Sequence, residues 1–139
     1  MRLARAVGAL TALLCASPVA AATTAATAAP ERVVSCAECG MKAKIDNRFT
    51  SQVLQGGSTL YFCDAGDLVA YLARTQPKEY TASVHDFKSG EWLDARSAFF
   101  VIDKKIFSTP MGWGVAAFRD RAEATGAPLD FEALRKALR

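Results

Sequence analysis

The chain has 139 residues, enough for one small domain or two very small lobes, and its 51% hydrophobic content is ordinary for a soluble protein once an apolar N-terminus is set aside. The formal charge is only +3, and no basic stretch is interleaved with aromatics, which argues against DNA or any other nucleic acid as a partner. A single histidine leaves no material for a Ser/His/Asp set, and Asp86, Glu91 and Asp94 are not paired into an acid/base site, so the expectation is a protein that is not an enzyme.

Arg2 and Arg5 precede an apolar run over 7–14, and Ala20-Ala21-Ala22 follows Pro18. This order predicts a cleaved secretory signal over 1–22, and therefore a mature protein in the periplasm with a charge of about +1. Residues 23–35 begin as an Ala/Thr tract and are expected to form a disordered linker ahead of a domain over 36–139. Val33-Val34-Ser35-Cys36 matches the short pattern for lipid attachment, but Pro30-Glu31-Arg32 interrupts the apolar run that pattern requires. A soluble periplasmic protein is therefore favoured over one anchored to a membrane. With Cys15 in the signal, Cys36, Cys39 and Cys63 remain, and an odd number in an oxidising compartment leaves at least one unpaired thiol.

Residues 42–47 read as a polar turn. Residues 48–54 alternate, with Phe49, Ser51 and Val53 on one face, and predict a half-buried strand. Gln55-Gly56-Gly57-Ser58 is a hairpin turn, and 59–62 is the returning strand. Asp64 is placed to cap a helix, supported by Asp67, with Ala65, Leu68, Val69 and Leu72 on one face and a stop before Gln76-Pro77. Cys63 directly precedes that N-terminus, where the helix dipole is expected to lower its thiol pKa. The second half repeats the theme loosely. A strand over 83–87 carries an exposed His85, and 88–90 turns into 91–94. An apolar strand follows over 97–102, then a last strand at 106–107, and Thr109-Pro110-Met111-Gly112-Trp113-Gly114 is a tight loop. A helix over 116–124 and a final helix capped by Asp130, with Phe131, Leu134 and Leu138 inward, complete the chain. The fold class is α+β with antiparallel hairpins and packed helices, in two small similar lobes at about 36–80 and 81–139.

The chemistry available is soft sulfur. Cys36, Cys39 and Met41 fall within six residues, and Cys63 and Met111 follow at a distance. Thiolates and thioethers select Cu(I), and thiolates alone also suit zinc. Cu(I) is content with two or three donors, which suits a carrier that hands its ion on, whereas a closed four-ligand shell suits a structural zinc site. Cys36, Cys39 and Met111 are the leading metal ligands and Cys63 and Met41 the second choices. Singly, each has a plainer role: the CxxC as a disulfide, Cys63 as a small core residue, the methionines as packing. Their co-occurrence in one exported domain favours metal. A thiol–disulfide protein using Cys36 and Cys39 is one alternative, although the polar stretch after the CxxC lacks the helix a thioredoxin-like site needs. A zinc-stabilised interaction module is another.

Cys36-x-x-Cys39-Gly40-Met41, Phe62-Cys63-Asp64, Gly90-Glu91-Trp92-Leu93-Asp94-Ala95, Ala98-Phe99-Phe100-Val101, Thr109-Pro110-Met111-Gly112 and Ala117-Phe118, in that order, resemble the NosL family of nitrous oxide reductase accessory proteins. The resemblance runs from about residue 36 to about residue 124. It implies two small similar α+β lobes and a periplasmic Cu(I) metallochaperone. The implied task is to deliver copper for the copper–sulfide centre, with nitrous oxide reductase or its copper-cluster assembly proteins as partners. Many family members are lipoproteins and carry Met-Gly-His where this chain has Met111-Gly112-Trp113. The imidazole is therefore to be replaced by His85 or a cysteine, or the site is all sulfur with Trp113 as a lid, or the chain serves another copper enzyme.

Overall fold

The computed structural model describes residues 29–139. The expected signal at 1–22 and the first part of the linker, 23–28, lie outside the described residues. Within them the order is β1 (Val33–Ser35), β2 (Lys42–Lys44), β3 (Ser51–Gln55), β4 (Ser58–Phe62), α1 (Ala65–Thr75), β5 (Thr81–His85), β6 (Trp92–Asp94), a 3-10 turn at Ala95–Ser97, β7 (Phe99–Ile102), β8 (Val115–Phe118) and α2 (Phe131–Ala137). No helix among the described residues is long and apolar enough to cross a membrane.

All strand pairs are antiparallel. β1 pairs with β2, β7 with β8, and a central sheet has the order β4-β3-β5-β6. The β3–β4 hairpin turns on Gly56 and Gly57, with φ of 56° and 77°, the pair of positive angles that a two-residue hairpin needs and that only glycine adopts freely. Gln76 closes α1 in the left-handed conformation, its N–H donating to Leu72 O. The main core is continuous across both halves of the chain. Val53, Phe62, Leu68 and Leu72 from the first half meet Val84, Phe100, Val115 and Leu134 from the second. The two lobes thus share a sheet, through the β3–β5 pairing, and a core.

Five expectations are corrected here. Val33–Ser35, expected in the disordered linker, is strand β1, and Lys42–Lys44, expected as turn, is its partner β2. Strands of three residues carry too little alternation to be seen before their partner is known; only Ala43 of β2 is buried. Residues 106–107 are not a strand: Asp103 Oδ1 accepts the N–H groups of Lys105 and Ile106 and closes a turn there. Residues 116–124 are not a helix. Val115–Phe118 form β8, buried on both faces and paired with β7. Finally, His85 is buried rather than exposed.

The likeness of the lobes is visible bond by bond. In the first, Cys36 N–H donates to Met41 O (2.7 Å), Gly40 N–H to Cys36 O (3.0 Å) and Ala37 N–H to Tyr61 O (2.8 Å). In the second, Asp86 N–H donates to Glu91 O, Gly90 N–H to Asp86 O and Phe87 N–H to Ala117 O, each at 2.8 Å. Gly40 and Gly90 share φ of 76°. Cys36 Sγ accepts the N–H groups of Cys39 (3.5 Å) and Cys63 (3.4 Å), and the Asp86 carboxylate accepts those of Ser89 (2.9 Å) and Arg119 (3.0 Å). Asp86, Ser89 and Arg119 therefore stand where the first lobe has Cys36, Cys39 and Cys63.

Burial raises the Asp86 carboxyl, but hydrogen bonds from the Ser89 hydroxyl and amide and from the Arg119 and Lys88 amides outweigh it and hold the group below its ordinary range. A depressed carboxyl contributes stability above its unfolded pKa, about 3.9, and loses it as pH falls through the folded value. Asp86→Asn is expected to cost about 1–3 kcal/mol at pH 7 and progressively less in acid, measured by denaturant unfolding across pH. An equal loss at pH 7 and pH 3 would exclude this role for the charge.

Candidate metal centre

The site forms where β1, β4 and α1 converge. Cys36 ends β1 and bridges to Tyr61 on β4, which brings it beside Cys63 at the end of β4. Cys39 returns over both through the tight turn closed by Gly40. The Sγ atoms of Cys36, Cys39 and Cys63 and a carboxylate oxygen of Asp67 all lie within 4.8 Å of one another. Cys39 and Cys63 touch at 3.5 Å, and Cys36 Sγ is 3.3 Å from Asp67 Oδ2. The three cysteines are free thiols. Cys36 and Cys63 are buried and Cys39 is half-buried, so Cys39 is the sulfur nearest to solvent.

The helix N-terminus is assembled around two buried carboxylates. Asp64 caps α1, with Oδ1 accepting Asp67 N–H at 3.0 Å and Oδ2 accepting Met111 N–H at 3.2 Å. Burial pushes the Asp64 carboxyl up, opposed by these amides and the Thr109 hydroxyl. Asp67 Oδ1 accepts Trp113 Nε1–H at 3.1 Å while its Oδ2 faces Cys36. The Trp113 ring lies flat on Gly66, where an added Cβ would come within 2.0 Å of the indole. The loop of the second lobe is thereby tied to the cysteine knuckle of the first.

Cys63 does not have the lowered pKa expected beside a helix N-terminus. Burial pushes the thiol strongly up, reinforced by its Cys39 and Cys36 neighbours, and burial also pushes the Cys39 thiol up. The dipole is worth about 0.3–1 kcal/mol, whereas full desolvation can shift a group by about 3–5 pKa units, so burial decides the sign.

Of the expected ligands, Cys36, Cys39 and Cys63 are brought together. Met41 and Met111 border the group through their backbones, by way of Met41 O on Cys36 N–H and Met111 N–H on Asp64, and their side chains are 52% and 39% exposed. His85 does not replace the missing imidazole. Its Nδ1 and Nε2 each lie 2.8 Å from a carbonyl oxygen, of Gly90 and of Ile45, and its ring stacks on Trp92. Asp67 was read only as support for the helix start. Its spacing of four from Cys63, at the head of a helix, is the signal that could have marked it as a donor.

The NosL family model matches residues 27–127. The chain belongs to the NosL family. The crystal structure of the copper chaperone NosL from Shewanella denitrificans is similar to it with a TM-score of 0.59 at 20% identity, over 71% of this chain and 87% of that one. No curated protein matches the chain. At that identity the structural likeness speaks for the α+β fold, with its antiparallel sheets and two helices, and the cysteine group is this NosL chain's own candidate for holding a metal.

Gly66→Ala separates packing from propensity. Alanine is favoured over glycine inside a helix by about 1 kcal/mol, but displacing the Trp113 ring should cost about 1–3 kcal/mol. A lowered Tm with altered tryptophan fluorescence is expected; a raised Tm would show that Trp113 does not rest on the helix.

Proposed function

We propose that this NosL protein is a periplasmic Cu(I) metallochaperone that supplies copper for the copper–sulfide centre of nitrous oxide reductase, directly or through the proteins that assemble that centre. The observation that carries the reading is the convergence of three cysteine sulfurs from two separate stretches of chain, within 4.8 Å, beneath a half-buried Cys39. Three soft donors match a monovalent soft ion, and one of them lies near solvent for exchange. Cys36, Cys39 and Cys63 are the ligands of this proposal. Met111 and Met41, on the rim, are thioether donors for the ion as it enters or leaves. Trp113, on Gly66 beside the cluster, takes the lid position and not a ligand's.

The ion is cargo, and loading displaces thiol protons. With the Cys39 and Cys63 thiols pushed up by burial, both are protonated at neutral pH and must release their protons to bind. Apparent affinity therefore rises with pH and falls in acid, by roughly tenfold per unit for each proton displaced.

Anaerobic titration against a chromophoric Cu(I) chelator tests the reading. One tightly bound Cu(I) is expected, with Cys36→Ser, Cys39→Ser and Cys63→Ser each lowering affinity at least about tenfold, and with the acid dependence above. A flat pH response, or cysteine variants as tight as the parent, would refute cysteine ligation. A thiol–disulfide role would instead run through Cys39 and Cys63, whose sulfurs touch. It would show as redox cycling that copper chelators leave untouched.

A further inference from the structure

The fourth donor at the cysteine group is not sulfur. Cu(I) is satisfied by two or three thiolates and has little use for a carboxylate, which is a hard donor. Asp67 nevertheless places Oδ2 3.3 Å from Cys36 Sγ, in a position 3% exposed to solvent. Its other oxygen is held by Trp113 Nε1–H, so the carboxylate cannot swing away without breaking that bond. We propose that Asp67 gives this site a second, divalent binding mode, in which Zn(II) is held by Cys36, Cys39, Cys63 and Asp67, and that Asp67 thereby sets the balance between divalent and monovalent ions. The proposal rests on the reading of the cysteine group as a metal site.

The geometry is near what zinc needs. Bonds of about 2.3 Å to sulfur and about 2.1 Å to oxygen put tetrahedral donors about 3.6–3.8 Å apart. Cys39 and Cys63 already stand 3.5 Å apart, and Cys36 and Asp67 3.3 Å apart; the widest separation in the group is within 4.8 Å. Charge points the same way. Three thiolates and a carboxylate carry four negative charges in a largely buried pocket. A divalent ion neutralises one more of them than a monovalent ion does, and buried charge left uncompensated is costly. With Cu(I) held by the three sulfurs, the Asp67 oxygen that stands 3.3 Å from Cys36 Sγ is a charge the ion does not use. Asp67 therefore favours Zn(II) as a ligand and opposes Cu(I) as a neighbouring charge.

Asp67→Asn keeps the side-chain shape and an oxygen for the Trp113 N–H but removes the charge. Zinc and Cu(I) affinities are measured on the same preparations by chelator competition. The variant should lose at least about tenfold in Zn(II) affinity while its Cu(I) affinity stays within about threefold of the parent or rises. Unchanged zinc affinity, equal losses for both ions, or a parent protein that binds no zinc would overturn the proposal. Weak Cu(I) binding by the parent would instead count against the copper reading and leave the zinc comparison to judge Asp67. Should the variant fail to fold by circular dichroism, X-ray absorption on the zinc-loaded parent decides. Three sulfurs and one oxygen support the assignment, and an all-sulfur or two-sulfur shell overturns it.

Discussion

The first turn of α1 holds two carboxylates out of water, and every one of their four oxygens is spoken for. Asp64 takes the amides of Asp67 and Met111, and Asp67 takes the Trp113 indole and the Cys36 thiol. An unpartnered buried carboxylate would be too costly to keep, so these contacts are conditions for folding as much as decorations of a site. The helix supplies part of the compensation through its N-terminal dipole. The rest must come from the knuckle of the first lobe and the loop of the second. Helix, knuckle and loop are consequently interdependent, and the contacts that satisfy the carboxylates also hold the cysteine group in place.

That same burial bears on how long the thiols survive as thiols where oxidants are present, as the proposed periplasmic role requires. Cys36 and Cys63 are shielded, and the pKa of Cys63 is pushed up, so the sulfur that a passing oxidant needs as thiolate is held as thiol. An entering soft ion can still displace the proton, because it brings the charge that water would otherwise have to supply. The competition between dipole and desolvation at Cys63 thus has a functional consequence. A thiol activated by the helix would be a reactive nucleophile, whereas a buried one responds chiefly to a metal.

Much of this was legible in the residues. Gly56-Gly57 and the Asp64 and Asp130 caps impose backbone geometry locally, and the hairpin and both helix starts followed from them. The ordered sulfur motifs pointed to the family and to three of the four clustered donors. What stayed hidden is non-local. β8 reads as helical because alanine is a strong helix former, and only its pairing with β7 makes Val115–Phe118 a strand. β1 and β2 have no periodicity to detect at three residues each. His85 reads as a surface residue until Ile45 and Gly90 are seen to close on both its nitrogens. Asp67 reads as a cap residue because its partners, Cys36 and Trp113, are 31 and 46 residues away in sequence.

The second lobe shows what the knuckle does without sulfur. Its backbone follows the first hydrogen bond for hydrogen bond, but the Asp86 carboxylate fills the place of Cys36, with Ser89 and the Arg119 amide closing around it. The Asp86 carboxylate accepts three hydrogen bonds at 2.7–3.0 Å, with the Lys88 amide as a further donor, so its lone pairs are taken up within the turn. A thiol in the same frame accepts two amides at 3.4 and 3.5 Å, ordinary lengths for sulfur, and these bonds are weak because sulfur is a poor acceptor. The frame therefore supports either a closed structural turn or an open site for a soft ion, and the residue at the head of the turn decides which. On that argument the asymmetry between the lobes is chemical and not architectural: one copy steadies the fold with a carboxylate, and the other gathers soft donors that could hold an ion.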